Sequence, residues 1–292
     1  MKRKIIRLSP TTQVISLPKT WLKKHNLGKG SEVDVTDCDD HLKITSQTMP
    51  CSSESTISLK HLTPRLMWST IDAAYVKGHS PITILPESAE QAQFMTKLVR
   101  YFPGMIITHQ QPDKVILSDV GIKDTDLEKN INRLFNLIIT LITESSDCCQ
   151  HKKWESLNRV KYKDYVINSH ISYCLRLLNS FSADTLNRSI TFTYLKLLEI
   201  LADKLCILFT QISEKKSITT SELTLIKRLH PILMKFQRIH SQYSQQRIIE
   251  IDKLRTSIAE DAKTMNSSSC PSILSVCSTL FDLEELEIQF HL

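Results

Sequence analysis

Glycine is scarce in this sequence, which has five in 292 residues: Gly28, Gly30, Gly78, Gly104 and Gly121. Their positions cannot spell a G-x-G-x-x-G turn, a Walker loop or a G-x-S-x-G nucleophile elbow. Long apolar runs are missing too. The longest, Leu134 to Thr143, is interrupted by Asn136 and is shorter than the roughly 20 residues a spanning helix needs. No apolar stretch follows the basic N-terminus, so a signal peptide is not indicated and a cytoplasmic protein without membrane insertion is expected. The eight cysteines have irregular spacings, no C-x-x-C, and one adjacent pair, Cys148-Cys149. That usage points to reduced, packed thiols and neither a disulfide framework nor a zinc site. The histidines form no H-x-x-x-H and no Cys/His cluster; His170 and His230 read as packed or surface residues. No motif suggests a Ser, His and acid set, and the expectation is a protein that is not an enzyme.

Acid is absent from the first 29 residues, which hold Lys2, Arg3, Lys4, Arg7, Lys19, Lys23, Lys24 and Lys29. Of the total charge of +6, the remainder of the chain therefore carries a net −2. A basic head on a slightly acidic body is the electrostatic footprint of a protein that binds nucleic acid or an anionic surface. A solvated tail could show the same charge. Ile5, Ile6 and Leu8 argue against one, because they place strand-type apolar residues among the charges.

Within the head, Ile5 to Leu8 and Val14 to Leu17 read as two short strands around the turn Ser9-Pro10-Thr11-Thr12. Pro18 closes the second strand and suits the start of a helix on which Trp21, Leu22 and His25 share a face. Glu32 to Thr36 and His41 to Thr45 alternate with period two across Asp37 to Asp40, which predicts a hairpin. The string RKIIRLSPTTQVISLPKTWLKKHNLGKGSEVDV resembles the AbrB/MazE/SpoVT swapped-hairpin family over residues 1–47. The resemblance implies that two heads interleave into a dimer, with the first strand and its loop facing DNA. A module this small has too little apolar surface to stand alone, which fits burial across a partner chain.

Residues 46–55, polar and containing Pro50, read as a linker. Strand and helix signals then alternate: strands at Thr56 to Leu59 and Ile82 to Leu85, helices at Thr63 to Lys77 and Glu87 to Tyr101. Two further strands, Met105 to His109 and Lys114 to Leu117, close a small α/β layer. Beyond Gly121 apolar residues recur every three or four positions. Helices are predicted over 124–143, 151–181, 184–213, 219–263 and 272–287, with a break at Asn266 to Pro271. The fold class is multidomain α+β: an AbrB-like head over 1–48 forming a dimeric swapped-hairpin barrel, a small α/β domain over 56–120, and an antiparallel helical bundle over 121–292. Residues 56–213 also resemble archaeal-type regulators related to PhoU, carried by SLKHLTPRLMWSTIDAAYVKGHSPITI, YVINSHISYCLRLLN and TYLKLLEILADKLCILF. This second resemblance implies regulation of phosphate uptake or a related response, and helical acids able to hold metal.

Two candidate sites follow. On the head, Arg3, Lys4 and Arg7 can reach phosphates, and the Arg7 guanidinium can also read guanine edges. Thr11 and Thr12 offer hydroxyls and backbone N–H groups, and Lys19, Lys23 and Lys24 add charge beside the short helix. Arg7 stands where the first family places a DNA-contacting arginine, whereas Ser9-Pro10-Thr11-Thr12 stands where relatives often carry glycine. In the body, Glu199 and Asp203 lie four apart on one helical face and can meet one cation. The PhoU-related pattern adds acids from a neighbouring helix, but Asn168 stands where an acid is wanted, leaving Asp164 as a substitute. Two carboxylates are few for a hard cation. No tightly held metal or other cofactor is expected, and the two acids are expected to be solvated or paired with Lys196 or Lys204. Trp21, Trp68 and Trp154 read as packing residues. The expected partners are double-stranded DNA and a second copy through residues 1–48. The alternative is a dimeric interaction protein that regulates a transporter or another protein through its helical body.

Overall fold

The turn at Ser9 to Thr12 reverses the chain through backbone bonds: Leu8 N–H and Ser9 N–H both donate to the Thr12 carbonyl, at 3.0 and 3.2 Å. In the computed structural model, which describes residues 3–37, 42–46, 53–121, 126–180 and 185–291, this turn joins β1 (Ile6–Arg7) to β2 (Gln13–Val14). Both strands are shorter than the apolar pattern predicts. The pair is antiparallel, with Ile6 opposite Val14 and Arg7 opposite Gln13. Helix α1 (Lys19–Lys24) starts after Pro18, which supplies a fixed φ at the cap. It ends in a Schellman turn. Asn26 takes φ 51°, its N–H reaches Lys23 O at 3.3 Å, and Leu27 N–H reaches Leu22 O at 2.9 Å. β3 (Val33–Asp37) and β4 (Leu42–Ser46) form the second antiparallel ladder. Within one chain the four strands thus make two separate two-stranded ladders.

These strands belong to the first of two compact units, Met1–Ser53 and Glu54–Leu292. Among the described residues of the first unit, no side chain is buried. Ile5, Ile6, Leu8, Val35 and Leu42 are all more than half exposed.

The second unit opens with a βαβ step: β5 (Ser55–Ser58), α2 (Pro64–Val76) and β6 (Ile82–Leu85), the two strands parallel. Thr63 caps α2 by accepting from Leu66 N–H, with Pro64 at the first helical position. Next come α3 (Ala89–Leu98), a single 3-10 turn at Val99–Tyr101, and the hairpin β7 (Met105–Gln111) and β8 (Lys114–Asp119). The sheet order is β5-β6-β8-β7, with a register shift between Ile107 and His109 on β7. Ile57, Ile82, Ile84, Val115 and Leu117 alternate toward one face and are buried with Met67, Ile71, Tyr75, Met95 and Phe102. Trp68 packs on Phe102 and Tyr101, at 5.3 and 5.2 Å between ring centroids.

The helical body consists of α4 (Leu127–Gln150), α5 (Trp154–Leu157), α6 (Val160–Ser180), α7 (Thr185–Lys215), α8 (Thr220–Ser241), α9 (Gln245–Thr264) and α10 (Cys270–His291). α4 packs on α6 and α8, α7 on α6 and α10, and α9 on α8 and α10, around a second apolar core. The helix predicted over 219–263 is two helices, because the chain leaves helical backbone at Gln242, where φ is −145° and ψ 83°. Among the described residues no helix is long and apolar enough to cross a membrane. The six described cysteines, Cys148, Cys149, Cys174, Cys206, Cys270 and Cys277, are free thiols.

Buried polar groups tie α6 to the α/β layer. Arg176 is 3% exposed; its Nη1 donates to Tyr75 O at 2.6 Å, its Nη2 pairs with Asp119 Oδ2 at 2.6 Å, and its guanidinium lies 4.8 Å above the Tyr75 ring. Burial pushes the Tyr75 hydroxyl far above its ordinary pKa.

Candidate functional site

The head presents its charge to solvent. Arg3, Lys4, Arg7, Thr11, Thr12, Lys19 and Lys23 are all exposed, and Lys24 closes α1. Arg7 Nε donates to Ser9 O at 3.3 Å, which holds the side chain along the loop and leaves Nη1 and Nη2 without a hydrogen bond among the described residues. The loop reaches its shape without glycine. Thr11 N–H donates to Ser9 Oγ at 3.3 Å, and none of residues 9–12 takes a positive φ. Serine and proline supply by hydrogen bond and fixed φ what glycine supplies by freedom. Such a strand, loop and helix start can track a phosphate backbone, since fixed hydroxyls and N–H groups position while long cations neutralise.

The body holds a second polar site where α2, α6 and α7 meet. The structure sets Asp203 of α7 facing Asp164 of α6, near enough for each carboxyl to raise or lower the other's proton affinity. Burial first, then the facing Asp164 carboxylate, pushes Asp203 up to about 6, and burial also raises Asp164. Glu199 forms an ion pair with Lys196, as the i,i+3 spacing allows, while Lys204 instead donates to Ser275 O at 2.9 Å and Thr279 Oγ1 at 2.6 Å. Asn168 Nδ2 donates to Asp164 Oδ2 at 3.4 Å. One residue here escaped the sequence reading. Asp72 of α2 lies close enough to Glu199 and Lys196 to feel both charges, and burial raises its pKa. Its signal was an acid flanking the apolar face of Met67, Ile71 and Tyr75.

The donor set does not fit a cation as it stands. Among the described residues no three His, Cys, Asp or Glu side chains are placed to hold a metal ion. Glu199 is instead neutralised by Lys196.

The raised Asp203 pKa has a sign. A carboxyl whose folded pKa lies above its unfolded value of 3.8 favours the fold below about pH 4, and that contribution is lost as pH rises through about 6. Because Asp203 is only partly shielded and keeps much of its surface in solvent, screening limits the effect to about 1 kcal/mol. Asp203→Asn is expected to raise stability at pH 7.5 by that amount and to flatten the stability profile between pH 4 and 7, read by urea unfolding at each pH. A variant less stable than the parent at pH 7.5 would contradict an Asp203 carboxyl whose ionised form the fold disfavours.

A third cluster, made of residues far apart in sequence, is sealed in the core. Glu287, fully buried, accepts from Tyr194 OH at 2.5 Å and lies 3.2 Å from His240 Nδ1, joining α7, α8 and α10. Its role is to hold three helices together.

Comparison with known proteins bears on the head. Residues 6–51 match the family model described as antidote-toxin recognition MazE, bacterial antitoxin. No curated protein and no solved structure matched the chain. The head is therefore similar to the AbrB/MazE class of small regulatory domains, and the match stops before the α/β layer and the helical body.

Proposed function

We propose that the chain is a cytoplasmic, homodimeric DNA-binding regulator and not an enzyme, whose head grips duplex DNA and whose helical body senses a signal or binds a protein. The observation that carries this reading is the acid-free head: its described cations are exposed, on a domain similar to the AbrB/MazE class. Retention of duplex DNA by the full chain, measured against salt, tests it. A folded, dimeric protein that fails to retain DNA at low salt would sink it.

A second reading, an antitoxin-type module whose partner is a protein, is favoured by the description of the matching family itself. The DNA measurement separates the two.

The head's lack of burial supports dimerisation. Five aliphatics more than half exposed, Ile6, Val35 and Leu42 on strands and Ile5 and Leu8 beside β1, with no buried side chain among the described residues, cannot offset the entropy of ordering the module. The proposed partner surface is a second head, with the two ladders of each chain completing a shared barrel. Sedimentation of the full chain is expected to give twice the monomer mass, and Leu8→Asp with Val35→Asp to give monomers. A wild-type chain that stays monomeric at micromolar concentration would refute the swapped dimer.

The link to phosphate uptake rests on the PhoU-like resemblance of residues 56–213 alone, and a transporter is the partner it implies. We further propose that the α2, α6 and α7 carboxylates hold no tight metal. Stoichiometric iron, manganese or zinc in protein purified without chelator, lost in Glu199→Ala/Asp203→Ala, would overturn this.

A further inference from the structure

At one end of the helical body, two adjoining depressions of about 540 and 630 Å3 share Lys152, Trp154 and Lys216. Lys153 and Lys227 line the same cleft, and Glu155 is the one acid on its walls among the described residues. Lys227 donates to Gln150 Oε1 at 2.5 Å, whereas Lys152, Lys153 and Lys216, all exposed, form no ion pair or hydrogen bond through their side chains among the described residues. Four cations against one carboxylate leave an excess of positive charge in a concave wall, where field lines concentrate.

The backbone adds an independent observation. Lys152 and Lys216 have φ of 55° and 51°, Lys152 one residue past the cap of one long helix and Lys216 directly after the last residue of another. Lys152 N–H bonds Cys149 O at 3.2 Å and Lys153 N–H bonds Cys148 O at 2.8 Å, a Schellman turn, while Lys216 N–H bonds Ser213 O at 3.3 Å. This is the position where glycine is favoured and a side chain is strained. Both strained positions of the cleft carry lysine. Between them sits Trp154, half-buried against the helical core on one side and lining the cleft on the other. Ile218 and Leu223 continue that apolar wall, and Ser217 and Thr220 add hydroxyls.

We propose that this cleft binds a phosphorylated small ligand of nucleotide size, its phosphates on Lys152, Lys216 and Lys227 and its flat ring against Trp154. The volume falls within the range of small-molecule sites, and the division into a cationic wall and an indole wall suits a ligand charged at one end and planar at the other. The inference deepens the sensing role assigned to the helical body by naming its ligand class. It is independent of the DNA reading, since every residue involved lies in the second unit.

The test titrates the full chain, without DNA, with ATP, adenosine and inorganic pyrophosphate, followed by calorimetry and tryptophan fluorescence. ATP is expected to bind saturably at one site per chain, at least tenfold tighter than adenosine or pyrophosphate. Lys152→Gly/Lys216→Gly is expected to weaken ATP at least tenfold while its melting temperature holds or rises, because glycine suits the left-handed backbone that lysine strains. Absence of saturable ATP binding to the folded chain would overturn the proposal, as would unchanged affinity in the glycine variant. Pyrophosphate binding as tightly as ATP would overturn the assignment of a ring to Trp154. Loss of DNA retention with ATP binding intact would strike the head's role and leave this one standing.

Discussion

Replacing Arg176 by methionine is expected to remove about 3–5 kcal/mol from the stability of the second unit, because it strands a partner carboxylate at a nearly closed site. Asp119 keeps about a quarter of its side-chain surface exposed and would lose the 2.6 Å bond to Nη2. The carbonyls of Tyr75 and His79, at 2.6 and 3.4 Å from Nη1, would lose their donor as well. Methionine matches the length of the arginine stem, so the change isolates the polar loss from a cavity. With unfolding free energies near 5–15 kcal/mol for a typical domain, such a loss is a large share, and the melting temperature should fall by roughly 10 °C. Adding Asp119→Asn should recover part of it, since the uncompensated charge goes. Urea unfolding of the two single variants and the double closes the cycle. Single variants with no measurable loss would show that the guanidinium contributes little.

The head's affinity for duplex DNA should fall about a thousandfold or more between 50 and 200 mM salt. Eight basic residues stand in the first 29 of each chain, and a dimer would bring two such sets to one duplex. Each neutralised phosphate releases counterions and adds about −0.9 to the slope of log K against log salt, so six to ten contacts give a loss of that size. Arg7→Ala distinguishes two roles for its side chain. If Arg7 meets phosphate, the variant should weaken all sequences alike and reduce the slope by about 1 per contact. If it reads guanine, the loss of about 1–3 kcal/mol should be confined to sequences bearing that base. Fluorescence anisotropy with a specific and a scrambled duplex over a salt series separates these outcomes. A slope near zero would remove the electrostatic argument.

Periodicity made most elements legible. The alternation in β5, β6 and β8 and the three- and four-residue recurrence in α4 and α7 are visible because each buries one face only. The break between α8 and α9 was hidden by composition, since Ser241 to Ser244 reads as an ordinary polar face. Its trace is a phase slip. The buried residues Ile239 and Ile248 are nine apart, about two and a half helical turns, so they would lie on opposite faces of one continuous helix. α4 runs on to Gln150, past the predicted end, because Ser145 and Ser146 are buried there and small hydroxyls do not register as apolar. At the head, charge alone identified the exposed cations. In the body, Glu199 and Asp203 were legible as an i,i+4 pair, but Asp203 turning to Asp164 and not to a lysine depends on how α6 lies along α7. Glu287, Tyr194 and His240 were illegible for the same reason, being 47 and 93 residues apart for the two bonds to Glu287.

The register shift at Ile107 and His109 sits on β7, an outer strand of the four-stranded sheet. An outer strand offers unpaired N–H and C=O groups on which a foreign chain can add a strand, and β7 at seven residues is the longest strand in the sheet. The irregularity falls near its middle and twists the strand there, so neither straight portion exceeds three residues, Met105 to Ile107 or His109 to Gln111. The opposite outer strand, β5, is four residues long. Neither rim of the sheet therefore offers a long, flat template for a fibril, and at the high local concentrations met while chains leave the ribosome this sheet should resist templated aggregation.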